Sequence, residues 1–250
     1  MNNWALVVVV GALLLGGCST VPDEPLVVND PYESLNRDSY EFSDAIDRAV
    51  LVPVARGYQR ITPDPVEQGI TNFFANLNGV ANSANGFLQG KPKSGAQEFG
   101  RFLVNSTLGV VGIFDVATKV GLESHPEDFG QTLAVWGWRE SSYVYVPFLG
   151  PSTVRDLPTT FFRGYIPRLL LGSSYHWSMT GVDVINTRAS LLSVTETRDA
   201  SALDGYTFTK DGFIQRRQYL IYDGDIPYDD LFDDFEEDFD DEEFEEDPAE

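Results

Sequence analysis

"TPDPVEQGITNFFANLNGVANSANGFLQG", Thr62–Gly90, is the stretch on which the fold turns. Asp64 is a helix cap by residue type, Pro65 suits the first helical position, and Glu67 stands three residues after the cap. Ile70, Phe73, Phe74, Leu77, Ala81, Ala84 and Leu88 then fall within one apolar face at helical spacing. Asn72 and Asn76 flank that face on one side, and Asn78, Asn82 and Asn85 on the other. The spacing predicts a long amphipathic helix whose polar residues are mostly neutral amides. A soluble bundle more often places Lys and Glu there. Uncharged polar flanks suit a helix lying beside lipid or lining a wet passage, while a core helix with Asn-rich edges fits this segment equally well.

The same start signal precedes it. In "DPYESLNRDSYEFSDAIDRAVLVPVARGY", Asp30 reads as an N-cap, Pro31 as the first helical position and Glu33 as the capping-box partner. Leu35, Phe42, Ile46 and Ala49 recur at helical spacing, and Pro53 predicts a kink or break. Downstream, Ser94 and Gln97 form a third capping box before "EFGRFLVNSTLGVVGIFDVATKVGL". The uncharged run between Arg101 and Asp115 is too short to cross a bilayer and apolar almost all round, which suits a core helix or a re-entrant or interfacial piece. Gly109 and Gly112 permit a tight turn or close packing there.

Texture changes in "GQTLAVWGWRESSYVYVPFLGPSTVRD". Trp136 and Trp138 alternate, as do Tyr143 and Tyr145, so a short extended segment is expected near 133–148. Two further helices are read in "MTGVDVINTRASLLSV" and "TKDGFIQRRQYLIYDG". The expected body is therefore mainly all-α, a single domain over residues 30–223 without internal repeats.

The N-terminus concerns the membrane. "WALVVVVGALLL" (Trp4–Leu15) reads as a signal-peptide core, too short for a span of about 20 residues. It is followed by "LGGC", which resembles the lipobox of bacterial lipoproteins and holds the chain's one cysteine, Cys18. Residues 1–17 are then the signal peptide, and Cys18 the acylated first residue of the mature chain. Residues 18–29 form a tether. Ser19 beside the cysteine resembles lipoproteins sorted to the outer membrane. The usual basic start is missing, since "MNNW" carries no Lys or Arg.

Formal charge is −22, but 16 acidic residues and no basic ones lie between Asp225 and Glu250, leaving 23 acids against 17 bases elsewhere. The tail, residues 224–250, is too charged to fold alone, though Phe232, Phe235 and Phe239 stand at helical spacing and would suit docking to a basic, apolar groove. No basic patch supports nucleic-acid binding. His125 and His176 are the only histidines, neither sits in a ligand-spaced pair, and no nucleophile elbow or phosphate loop occurs. No catalytic residue, metal site or cofactor is expected.

Read in order, "DPYESLNRDSYEF", "GITNFFANL", "FLQG", "RFLVNSTLGVVGIFDVA", "EDFGQTL" and "VPFLGPSTVRD" resemble the MlaA, or VacJ-type, lipoproteins over roughly residues 30–223. The resemblance implies a ring-like helical domain embedded in the periplasmic leaflet of the outer membrane, with amphipathic helices around a central channel. It implies removal of mislocalised phospholipids from the outer leaflet, their transfer to a periplasmic carrier of an ABC transport system, and association with a trimeric porin. From helical spacing, the candidate channel or lipid-contacting residues are Asn72, Phe73, Phe74, Asn76, Leu77, Asn105, Leu108, Val111 and Phe114. A scaffolding envelope lipoprotein without lipid passage is the alternative; an envelope hydrolase would need a polar site around His125 or His176.

Overall fold

The structure, a computed structural model, describes residues 26–162, 172 and 176–226. The expected signal peptide, Cys18, most of the expected tether and nearly all of the acidic tail, with its phenylalanines, lie outside the described residues. The chain is mainly helical. Helix α1 (Glu33–Ile46) runs through a π-helical turn (Asp47–Leu51) into α2 (Val52–Ile61), and α3 (Asp64–Leu88) and α4 (Pro92–Thr107) form a helical hairpin. Short α5 (Val116–Lys119) and α6 (Phe129–Val135) precede the strands, and α7 (Leu157–Phe162) follows them. Then come α8 (His176–Ser190), α9 (Leu192–Ser201) and α10 (Gly205–Ile221). A small sheet orders β1 (Val28–Asn29), β2 (Ser141–Val146) and β3 (Gly150–Thr153), with β1 parallel and β3 antiparallel to β2.

Several boundaries differ from the sequence reading. The capping boxes do not form: α1 starts at Glu33 after Tyr32, α3 at Asp64 after Pro63 and α4 at Pro92 after Lys91, each without a side-chain cap. Asp30 is drawn elsewhere, accepting from the Asn36 amide (2.8 Å), the Tyr206 hydroxyl and the Lys210 ammonium (3.2 Å). Such long-range partners outweigh a local cap. Pro53 does not break the chain; the π turn before it absorbs the missing hydrogen bond, and the proline sits in the first turn of α2. Where the sequence predicts extended structure, near 133–148, it starts only at Ser141 and runs over 141–146 and 150–153, because α6 takes residues up to Val135. The segment read as one helix around 179–194 divides at Leu191.

The largest difference is the direction in which the amphipathic helices face. On α1 the apolar residues point outward, Leu35 being 64% and Phe42 54% exposed, while Asn36, Tyr40 and Ser43 are buried. Asn36 acts as a strand edge in side-chain form. Its amide donates to the Tyr143 carbonyl (3.1 Å) and accepts from the Tyr145 N–H (2.9 Å), fastening α1 to β2. Tyr40, Tyr143 and Tyr206 close this junction, with edge-on ring pairs at 5.9 Å and 6.0 Å; each contributes on the order of 1 kcal/mol beyond its buried area. The other apolar clusters are small: Leu26, Ala134, Ile221 and Tyr222 in one, Ala55, Ala189 and Leu192 in another. Ion pairs complete the frame. Arg188 grips Asp47 with two bonds (2.7 and 2.8 Å), and Arg198 meets Asp44 at 2.9 Å, holding α8 and α9 to the α1–π segment.

After Thr107, α4 gives way to a turn whose residues Val110, Val111 and Gly112 all have positive φ (53°, 59° and 90°). Gly112 is needed there, because a Cβ would lie 2.6 Å from Cβ of Asn76. The turn is pinned by the Asn72 amide, which donates to the Ile113 carbonyl at 3.0 Å. It leaves Leu108, Val110, Val111 and Phe114 exposed side by side. Exposed apolar residues also occur elsewhere around the molecule, among them Val54, Ile61, Trp136, Trp138 and Phe148. Among the described residues, no helix is long and apolar enough to cross a membrane.

Candidate functional site

A cavity of about 720 Å³ lies between the α3–α4 hairpin on one side and the β2–β3 hairpin, α7 and α10 on the other. Its walls carry amides and charged groups with apolar side chains between them. The α3 wall presents Asn72, Asn76, Asn78, Asn82 and Asn85, with Ala75 and Gly79 between them. All five amides face one space, because the helix turns residues three and four apart onto the same side. The α4 wall supplies Glu98, Arg101, Phe102 and Asn105, and the opposite side Leu149, Asp156, Phe213, Arg216 and Arg217.

Of the residues read from sequence, the structure brings Asn72, Asn76 and Asn105 together on this cavity. Phe73, Phe74, Leu77, Leu108, Val111 and Phe114 are not on it. Phe74 and Leu77 are buried on the opposite side of α3, Phe74 edge-on to Phe73 at 5.2 Å. Leu108, Val111 and Phe114 point outward because α4 ends at Thr107 instead of running on. The three amides also differ in use. Asn105 is spent on structure, accepting from the Ala117 N–H (2.8 Å) and donating to Asp115 (3.0 Å). Asn76 donates to the Ser106 hydroxyl at 2.8 Å, and its carbonyl oxygen has no partner among the described residues.

Charged groups make up much of the wall. Arg217 clasps Asp128 through Nη1 and Nη2 (2.6 and 2.8 Å) and Asp156 through Nε and Nη2 (2.9 and 2.8 Å). Burial pushes the Asp128 carboxyl up, but the Arg217 fork and the Gln131 N–H outweigh it and hold it below its usual range. Arg101 pairs with Asp115 (3.0 Å), whose carboxyl stands at about 2: burial raises it, and the Thr118 hydroxyl and N–H, Asn105 and Arg101 lower it further. Glu127 is buried against Gln89 (2.7 Å) and Lys91 (3.0 Å); there burial wins and the carboxyl is raised. These groups gave little signal in sequence. Arg216–Arg217 and Asp128 look like ordinary surface charges until α10 and α6 are packed together.

A family model described as MlaA lipoprotein matches residues 28–220. The chain belongs to the MlaA family. The intermembrane phospholipid transport system lipoprotein MlaA of Escherichia coli (strain K12) is 33% identical over 224 residues, 86% of this chain and 88% of that protein. An uncharacterized protein of Rickettsia bellii is 32% identical, covering 78% of this chain and 77% of its own length. A solved structure, described as the structural basis for maintenance of bacterial outer membrane lipid asymmetry, matches with a TM-score of 0.68 and 31% identity. It covers 77% of this chain and 99% of its own. The MlaA family thus spans nearly all the described helices, and both walls of the cavity lie within the matched residues.

Proposed function

We propose that this chain is an outer-membrane lipoprotein of an intermembrane phospholipid transport system, whose cavity passes mislocalised phospholipids out of the outer leaflet. One observation carries the reading: α3, α4 and α10 turn amides and charges onto one cavity, while α1 and the turn after α4 expose apolar side chains. In water this arrangement would expose apolar surface at about 25 cal/mol per Å²; in hydrocarbon that cost vanishes. Helix α3, with 25 residues, is about 37 Å long, yet its amide face disqualifies it as a span. A body of such helices fits within one leaflet, and Cys18, once acylated, would hold it on the periplasmic side.

A phospholipid combines a charged headgroup with two apolar tails. Drawing that headgroup through hydrocarbon costs several kcal/mol unless polar partners replace water. The amide-lined α3 wall and the ionic wall opposite supply them, while the tails stay against the outer apolar surface near Leu108, Val111 and Phe114. No bond is made or broken. A passive route adds no free energy, so net removal is driven by a gradient or by a downstream transporter that takes lipid from a soluble periplasmic carrier. A trimeric porin is the fitting partner for the exposed apolar perimeter.

The test is deletion of the gene and measurement of surface-exposed phospholipid and detergent sensitivity. Both rise on deletion, wild type restores them, and Cys18→Ala does not. Purified protein without co-extracted phospholipid, with no surface phospholipid on deletion, refutes transport and leaves a scaffold.

A further inference from the structure

Two charges on the cavity wall find no opposite charge among the described residues. Glu98 of α4 is 3% exposed. Its Oε1 accepts the His125 N–H and the Ser124 hydroxyl (3.2 Å), and its Oε2 accepts from the Asn82 amide (3.3 Å) beside the bare backbone of Gly79. No Lys or Arg pairs with it among the described residues, and the His125 imidazole is turned to Gln97 at 3.2 Å. On α10, across the cavity, Arg216 is exposed and has no ion pair among the described residues. Every other charge on this wall is answered: Arg101 by Asp115, Arg217 by Asp128 and Asp156, and Glu127 by Lys91. Elsewhere on the lining, the buried carbonyl oxygens of Asn76 and Gln131 also lack partners among the described residues.

We propose that the cavity selects aminophospholipids, with Glu98 receiving the primary ammonium of the headgroup and Arg216 its phosphodiester. This rests on the transport reading and adds headgroup selectivity to it. A buried carboxylate is costly unless paired, and an ammonium brings both a charge and three N–H donors. A guanidinium takes a phosphate with two parallel bonds. The volume, about 720 Å³, lies within the range of ligand pockets of roughly 300–1,000 Å³. A glycerol headgroup satisfies Arg216 and leaves Glu98 alone. A choline headgroup carries the charge but no N–H donor.

The test uses the full-length acylated protein in detergent, equilibrated with vesicles of equal phosphatidylethanolamine and phosphatidylglycerol, with bound lipid counted by mass spectrometry. Wild type enriches the ethanolamine lipid about tenfold, the factor that ~1.4 kcal/mol of discrimination gives. Glu98→Gln, which keeps the acceptor for the His125 N–H, brings the ratio to parity with total lipid unchanged. Arg216→Gln lowers total lipid several-fold and leaves the ratio. Should Glu98→Gln fail to fold, wild type is offered N-acylated phosphatidylethanolamine, and its enrichment is lost. Parity in wild type, an unchanged ratio in Glu98→Gln, or retained enrichment of the N-acylated lipid overturns the proposal alone. Wild type that binds no phospholipid overturns the transport reading with it.

Discussion

Arg217 offers the sharpest test of how the cavity is held open. Its guanidinium joins α10 to α6 through Asp128 and to the turn after β3 through Asp156, with four bonds of 2.6–2.9 Å. Arg217→Met keeps part of the apolar stem and strands one buried carboxylate, Asp156, and one partly buried, Asp128. Breaking a buried pair of this kind costs about 3–5 kcal/mol. Asp156 retains Arg155 (3.2 Å) and Asp128 retains the Gln131 N–H (2.9 Å), so the lower end, about 3 kcal/mol, is expected. For a chain of this size that is a fall in Tm of about 6–12 °C, read by thermal unfolding in detergent at neutral pH. The sign with pH follows from Asp128. In wild type its carboxyl lies below the usual value, so its contribution is present above the unfolded value of 3.8 and lost as pH falls through the folded one. Without Arg217, burial is opposed only by the Gln131 bonds, so the variant's carboxyl lies higher than that of wild type and acid relieves the variant first. The gap between the two proteins therefore narrows as pH falls through the variant's carboxyl value. A loss under about 1 kcal/mol, or a gap that stays constant with pH, refutes the clasp.

Three further changes probe separate parts of the structure. Gly112→Ala sets a Cβ 2.6 Å from that of Asn76 at a φ of 90°, so a loss of about 2 kcal/mol is expected in urea unfolding. Leu108→Asp and Val111→Asp add charge to an exposed turn, so Tm in detergent stays within about 2 °C while recruitment to vesicles and rescue of the deletion strain fall. Asp115→Asn removes a carboxyl that stands at about 2 and caps α5. Wild type loses that contribution as pH falls from about 4 to about 2, the variant lacks it throughout, and their acid-unfolding curves converge below about pH 2.

The order of the long helices was legible because periodicity fixes which side chains share a face. It does not state what that face meets. Leu35 and Phe42 mark a side of α1 correctly, yet the side turns outward, since the long-range bonds of Asn36 to Tyr143 and Tyr145 claim the opposite one. The amides of α3 point to a wet passage by type alone, and three of the read residues lie on the cavity. The apolar residues of that reading lie off the cavity: Phe74 and Leu77 are buried on the other side of α3, and Leu108, Val111 and Phe114 leave the helical path where Val110 and Val111 turn left-handed after Thr107. β-branched residues give no local signal for such a turn. The ionic wall was unreadable for another reason. Asp128, Asp156 and Arg217 are far apart in sequence, and each alone resembles a solvated charge.

That wall also explains why the centre stays open. Apolar side chains gain by closing any gap, so a cavity of about 720 Å³ between greasy walls would shrink by sliding of the helices. Bonds with fixed lengths and directions resist sliding. The Arg217 clasp, the Arg101–Asp115 pair and the Asn36 bridge act as spacers of this kind. Buried ion pairs are often no more stable than apolar replacements of equal volume, which are neutral or stabilising by about 1–4 kcal/mol. The triple variant Arg217→Met, Asp128→Leu, Asp156→Leu should therefore unfold no earlier than Arg217→Met, yet earlier than wild type, since Arg155, 1% exposed, loses Asp156. It should nevertheless bind little phospholipid and fail to restore outer-membrane asymmetry, because the walls are free to collapse. If the triple variant is stable and still binds lipid at the wild-type level, the clasp is merely one contact among many and the spacer argument is wrong.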